Sequence, residues 1–477
     1  MSEPLEPGTS RLAPLLKWGA VLVVLVGILL APHPANITAA SWRLFAIFAA
    51  TIVGLIVRPI ASGAVVLLGV VAVALTGTLP PAEALRGYAD PIVWLVLCAF
   101  FMSRAVLKTG LGRRIAYLFI HALGKRSIGL AYALVSTDTL LGSIVPSNAA
   151  RAGGVVFPVA RSLAEAYDST PGPTANRLGA YLMVAVYQCD IIVCSMWITG
   201  QASNVLIARF AQETSGIEIS YLKWILGAVV PGIVALLIVP WLLLRIFPPE
   251  VKHTPHATEL ARAELAKMGR MSRAEGLTLV VFLLVAFMWA TSAWHHINSA
   301  VVALAGISAL LLLRVLDWDD VLTERNAWDV YIWYGGLVRM AEALSETGIT
   351  KAFAETTAGF TAGWAWPAAL AALLLVYFYA HYGFASITAH ATAMFVPFLV
   401  VIMGAGAPPH LAVLLLAYFS NLCAALTHYG TTPAPIYFGA RYTTQRAWWK
   451  LGFIVSLVTI TIYSTLGVAW WKLLGWW

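Results

Sequence analysis

Eleven stretches of this chain are each long and apolar enough to cross a hydrocarbon layer, and that pattern constrains its fold more than any other feature. A bilayer core about 30 Å thick calls for roughly 20 apolar residues per helix. The runs occupy residues 15–32, 41–58, 60–78, 90–108, 178–208, 222–247, 275–293, 297–315, 328–346, 409–438 and 448–471. In lipid, a helix is the element that closes its backbone hydrogen bonds within one segment, so each run is expected to be helical. Composition agrees, because 60% of the 477 residues are apolar or aromatic and only 11% are charged. An average soluble domain carries roughly 25% charged residues. The expected fold class is therefore an all-α polytopic membrane protein.

The net charge of +8 resembles a nucleic-acid signal until the basic residues are placed. Lys108, Arg113, Arg114, Lys125 and Arg126 follow the fourth run, and Lys252, Arg262, Lys267, Arg270 and Arg273 lie between the sixth and seventh. Basic connections stay in the cytoplasm, so these charges orient the chain and no nucleic-acid partner is implied. The amino terminus, with Arg11 and Lys17, then falls in the cytoplasm and the carboxyl terminus outside. Glu342, Glu346 and Glu355 against Lys351 fall outside, while Asp317, Asp319 and Asp320 form an acidic exception on the inner side. The first run is expected to be a retained helix rather than a cleaved signal, because its polar leader contains Glu3 and Glu6 and further spans follow. Cys98, Cys189, Cys194 and Cys423 sit in apolar stretches without CxxC spacing, so they read as small core residues, with no disulfide framework, zinc site or cofactor expected.

Two further apolar stretches, 128–168 and 365–403, are interrupted by polar and glycine-rich sequence and read as re-entrant hairpins. Such turns exist at membrane depth only against protein or a wet cavity. Comparison of the two halves supports this. Met102, Ala105, Thr109 and Gly110 match Met340, Ala343, Thr347 and Gly348, all 238 residues later. Ser147, Ala150, Ala152 and Pro158 match Ser386, Ala389, Ala391 and Pro397, all 239 residues later. The expected organisation is an N-terminal segment and first helix (1–40), a first repeat (41–247), a cytoplasmic linker (248–273) and a second, inverted repeat (274–477). Each repeat holds five crossings and one hairpin, an arrangement typical of secondary transporters, which bind substrate where the broken helices of the two halves meet.

The candidate binding residues lie at those breaks. Ser147 and Asn148 open the second arm of the first hairpin, and Ser386 and Thr388 open its counterpart. A Ser or Asn there caps free N–H groups, which with the helix dipole attract an anion. Two such ends at one site favour a substrate with two negative groups. Arg151 and His390 occupy equivalent positions in the copies. A charge at membrane depth is costly, so Arg151 meets either an anionic substrate or a permanent partner, Asp138 or Asp190. His390 is either a charged contributor or a neutral, hydrogen-bonded core residue. Spans five and ten are too long for straight crossings, and Gly200 and the segment Thr431, Thr432 and Pro433 mark their breaks. Trp470, Trp471, Trp476 and Trp477 read as an interfacial belt.

The segments Pro146-Ser147-Asn148-Ala149-Ala150-Arg151-Ala152-Gly153-Gly154, Ala385-Ser386-Ile387-Thr388-Ala389-His390-Ala391 and Thr427-His428-Tyr429-Gly430-Thr431-Thr432-Pro433 resemble the divalent anion/sodium symporter family. They look most like the branch holding bacterial citrate/succinate and tartrate/succinate antiporters and plastid 2-oxoglutarate/malate translocators, and the likeness runs from about residue 40 to the end. The resemblance implies a homodimeric elevator carrier in a bacterial inner membrane, with a fixed scaffold and a mobile transport domain. It also implies that Ser-Asn-Thr tips bind substrate carboxylates and help form sodium sites. Here Ala149 stands where the first tip has Thr and Ile387 where the second has Asn, which removes oxygen ligands. The expected activity is sodium-independent obligate exchange of di- or tricarboxylates, with Arg151 and His390 supplying the positive charge; the alternative is a sodium- or proton-coupled symporter. An enzyme is not expected, since neither GxSxG nor HExxH occurs.

Overall fold

The computed structural model describes residues 12–34, 37–349, 352 and 363–477, so Glu3, Glu6, Arg11, Lys351 and Glu355 lie outside the described residues. The described chain is helical, as the apolar runs require. Eight helices have at least 18 residues and are apolar enough to cross a membrane, and three shorter apolar helices occur at Leu15–Leu30, Ser62–Leu75 and Ser299–Leu312. No strand is present among the described residues beyond one isolated bridge between Arg126 and His253.

The chain divides into two compact units that cut across the sequence repeats: residues 1–93 with 328–356, and residues 94–327 with 357–477. In the first unit, small residues let helices approach closely. A β-carbon on Gly87 would lie 2.1 Å from the Gly335 carbonyl, and one on Gly336 would lie 2.6 Å from Val66. Arg339 is buried there, and its guanidinium donates to Glu83, Glu342 and Glu346 at 3.1, 3.0 and 3.3 Å. Those carboxylates are therefore partners of one arginine rather than a loose acidic surface.

The second unit contains two helices that a search for long apolar runs does not detect, Leu111–Leu123 and Pro255–Met268. They pack on each other, so the connection 248–273 carries a docked helix. Arg114, expected among the solvated topogenic charges, is buried: its guanidinium donates to Glu275 at 2.7 and 3.0 Å and to the Gly269 carbonyl at 2.9 Å. The acidic exception also has a cause. Lys108 donates to Asp317 at 2.8 Å and to Asp320, and Arg104 donates to Asp320 at 3.4 Å. Burial is the largest single influence and would raise the Asp320 carboxyl, but the hydrogen bond from Lys108, the Asp317 backbone N–H and the charges of Lys108 and Arg104 together hold the group below the usual aspartate range. Trp471 is a correction as well. It is fully buried against Tyr418 and donates to the Gly227 carbonyl at 2.8 Å, so it belongs to the core and not to an interfacial belt.

Both interrupted stretches fold as helix–turn–helix. The first runs from Ser127–Gly142 through a turn into a π-helical start, Ala149–Val156, continued by Phe157–Ala166. The second joins Trp366–Tyr379 to Ile387–Gly404 through the tight turn Ala380–Gly383. The two long spans are broken as expected. Span five is Gly179–Met196 and Ala202–Ser215 around a single turn at Ile198–Gly200. Span ten is Pro409–Leu422, the turn Cys423–Leu426, and Pro433–Gly439.

Candidate functional site

A hairpin tip exposes the unpaired N–H groups of its second helix, and the residue at the tip decides what meets them. The Ser147 hydroxyl accepts from the Ala150 N–H at 3.2 Å, and the Ser386 hydroxyl accepts from the Ala389 N–H at 3.4 Å. The same cap thus recurs 239 residues later. A π-helical start on the first tip adds a widened turn, a feature common at functional sites. Ser147, Ser386 and Thr388 are half-buried, and Thr432 is exposed.

The first tip and both breaks meet through one side chain. Asn148 is buried, and its amide nitrogen donates to Thr431 at 2.9 Å and to Gln201 at 3.3 Å. Asn421 donates to Asn204 at 2.8 Å, and Asn204 in turn donates to the Cys194 and Trp197 carbonyls freed by the first break. The second tip is held to the second break by His381, which donates to the Gly430 carbonyl at 3.0 Å, and by Tyr429, whose hydroxyl donates to the Tyr382 carbonyl at 2.9 Å. Pro433 is the first residue of Pro433–Gly439, where its missing N–H costs nothing. Replacing Asn148 by alanine leaves the buried Gln201 and Thr431 oxygens short of a donor, a loss of about 1–3 kcal/mol. We expect the detergent-solubilised Asn148→Ala protein to melt below wild type; an unchanged melting temperature would mean that this bridge does not hold the tip and the breaks together.

Arg151 is not available to an anion in this conformation. It is 1% exposed, and all five N–H groups are taken. Nε donates to Asp138 at 2.9 Å, one terminal nitrogen to the Val145 and Gly200 carbonyls at 2.8 and 2.7 Å, and the other to Asp190 at 3.1 Å and Cys194 at 3.5 Å. Its charge is met by two carboxylates, whose second oxygens are also buried. Of the two expected alternatives, the structure shows the permanent partner, and it is Asp138 and Asp190 together. His390 is likewise fully buried, with Nε2 on the Tyr377 carbonyl at 2.9 Å. A carbonyl only accepts, so Nε2 carries a proton, and complete burial with no carboxylate bonded to the ring disfavours a second, charging proton on Nδ1. The two copies therefore place basic side chains on freed carbonyls in the same way. Arg151 serves Val145 and Gly200; His390 and His381 divide that work at Tyr377 and Gly430.

Gln201, Asn204, Asn421 and His381 were not singled out by sequence patterning. The available signal was the rarity of buried amides and imidazoles within otherwise apolar spans, since such groups persist only when hydrogen-bonded.

Residues 12–477 match the family described as the sodium:sulfate symporter transmembrane region. The chain is 43% identical over 449 residues to Dicarboxylate transporter 1, chloroplastic, of Arabidopsis thaliana, covering 94% of this chain and 81% of that protein. It is 34% identical over 472 residues to the inner membrane protein YbhI of Escherichia coli, covering 96% of this chain and 98% of that one. Among solved structures, the Alcanivorax borkumensis YdaH transporter superposes with a TM-score of 0.56 at 15% identity, covering 98% of both chains, which speaks to the fold alone.

Proposed function

From the premise that this chain belongs to the sodium:sulfate symporter family, and is thus a multi-pass membrane transporter and not an enzyme, we propose that it exchanges dicarboxylate anions without sodium. Relatives named as dicarboxylate transporters support the substrate class. Two serine-capped helix ends supply the complementary partial charge, with Ser147, Ser386, Thr388, Thr431 and Thr432 as hydroxyl contacts around them. A tricarboxylate remains within reach of the same chemistry.

One observation carries the sodium-independent reading. A sodium site at a broken helix is built from freed carbonyl oxygens, and here those oxygens already accept from fixed basic side chains. Gly200 and Val145 are held by Arg151, and Gly430 and Tyr377 by the two histidines. Ile387, at a tip position, adds no side-chain oxygen. Exchange follows from the helix ends rather than from Arg151, whose charge Asp138 and Asp190 counter. Fixed dipoles stay when substrate leaves, so an empty site crosses a low-dielectric passage less readily than a loaded one.

We further propose an inverted-repeat elevator carrier working as a homodimer in a bacterial inner membrane, amino terminus inside. Division into two compact units suits a two-body mechanism. The test is labelled dicarboxylate uptake into proteoliposomes. Vesicles preloaded with dicarboxylate should accumulate label equally in sodium and choline buffers, and empty vesicles should take up at least tenfold less. Accumulation into empty vesicles driven by an inward sodium gradient would establish symport instead, and one driven by a pH gradient would establish proton coupling. A thermal-shift screen against succinate, malate, tartrate, 2-oxoglutarate and citrate ranks the substrates.

A further inference from the structure

One donor atom from each of His381, His390 and Cys423 lies within 4.8 Å of the others, and all three side chains are completely buried. They come from three segments: the turn before the second tip, the helix after it, and the turn that opens the second break. Each imidazole is already set for ligation. His381 gives its Nε2 proton to the Gly430 carbonyl and His390 gives its own to the Tyr377 carbonyl, so the remaining nitrogen of each neutral ring holds a lone pair. A histidine that binds metal characteristically spends its other N–H on such an acceptor, which fixes tautomer and orientation. The His381 Nδ1 lone pair is buried with no hydrogen-bond partner, an expensive vacancy in a protein interior. Cys423 Sγ lies 3.8 Å from His390 Nδ1. In a three-coordinate site with bonds of roughly 2.0 Å to nitrogen and 2.3 Å to sulfur, ligand atoms stand about 3.5–3.8 Å apart, so that pair needs almost no movement.

We infer that His381, His390 and Cys423 form a binding site for a soft monovalent metal cation, Cu+ or its analogue Ag+. Charge selects the class. Two neutral imidazoles and one thiolate carry a single negative charge, and no carboxylate is hydrogen-bonded or ion-paired to any of the three among the described residues. A monovalent cation therefore yields a neutral complex in the dry interior, whereas Zn2+ leaves one uncompensated positive charge there. Softness selects it again, because thiolate with imidazole suits Cu+. Binding forms a metal–sulfur bond and expels the Cys423 thiol proton to solvent, with no change in oxidation state. Phe384 at the half-buried tip packs against both imidazoles, with ring centroids 6.5 and 5.1 Å away.

The test uses the full-length protein in detergent under anaerobic conditions. Cu+ is titrated in competition with a chromophoric chelator, Ag+ serves as the redox-inert probe, and Zn2+ is a third arm. One equivalent of Cu+ and of Ag+ should be retained by the wild type, with X-ray absorption reporting two nitrogen ligands and one sulfur. Cys423→Ser should weaken binding at least 100-fold, and the control Cys98→Ser should not change it. If Cys423→Ser lowers the melting temperature without metal, His381→Gln and His390→Gln carry the comparison, and each should weaken binding at least tenfold. Equal retention by wild type and Cys423→Ser, a sulfur-free coordination shell, or Zn2+ binding as tight as Cu+ would each overturn the assignment. Binding is read without transport, so a failed exchange assay leaves this result intact.

Discussion

Arg151→Ala is expected to cost the folded protein rather than to leave it folded and silent. The guanidinium sits between Asp138 and Asp190 and holds the Val145 and Gly200 carbonyls, and every one of its donors is committed. Removing it strands buried carboxylates, and breaking such a pair costs about 3–5 kcal/mol, a large part of the stability of an ordinary domain. Detergent-solubilised Arg151→Ala should therefore aggregate, or melt well below wild type. Arg151→Lys keeps the charge but has three donors for five acceptors, so it should fall between the two. Adding Asp138→Asn and Asp190→Asn to the alanine variant removes the stranded charges and should recover folded protein. An Arg151→Ala protein that melts like wild type yet cannot transport would return the arginine to the substrate.

Gly200→Ala is expected to abolish transport by displacing the backbone at the first break. A β-carbon there would stand 2.8 Å from the Cys194 carbonyl oxygen, 3.0 Å from Cys194 Cα and 3.1 Å from the Val193 carbonyl. All three are backbone atoms, so no rotamer change relieves the contact, and overpacking of this kind costs about 1–3 kcal/mol. The same backbone shift carries the Gly200 carbonyl off Arg151. Gly430→Ala should be milder, because only one of its three close neighbours, the Ala424 carbonyl oxygen at 3.1 Å, is a backbone atom, the others being side-chain atoms of His381 and Thr427. Transport rates and melting temperatures measured together separate the cases. Wild-type transport by Gly200→Ala would mean that the break does not constrain the site.

What the sequence made legible follows from the range of the forces involved. The hairpins and breaks were readable because polar, glycine and proline residues interrupt apolar runs locally, and a serine at a tip caps within three residues. Ser147 and Ser386 are of this kind. The fate of Arg151 was not readable, because its partners lie 13 and 39 residues away and either aspartate alone was a sufficient explanation. Nor was Cys423, a lone cysteine whose neighbours come from another hairpin. The helix Leu111–Leu123 escaped for a different reason. Its 13 residues are amphipathic and too short for a bilayer criterion.

The helix Gly179–Met196 exposes none of its eighteen residues, so it has no face for lipid or water and no freedom to turn. Its amide protons should be among the slowest in the chain to exchange with deuterated solvent, opening only when the surrounding unit comes apart. It serves the second unit as a keel. The turn that ends it, Ile198–Gly200, is where the helix stops and the Gly200 carbonyl accepts from Arg151.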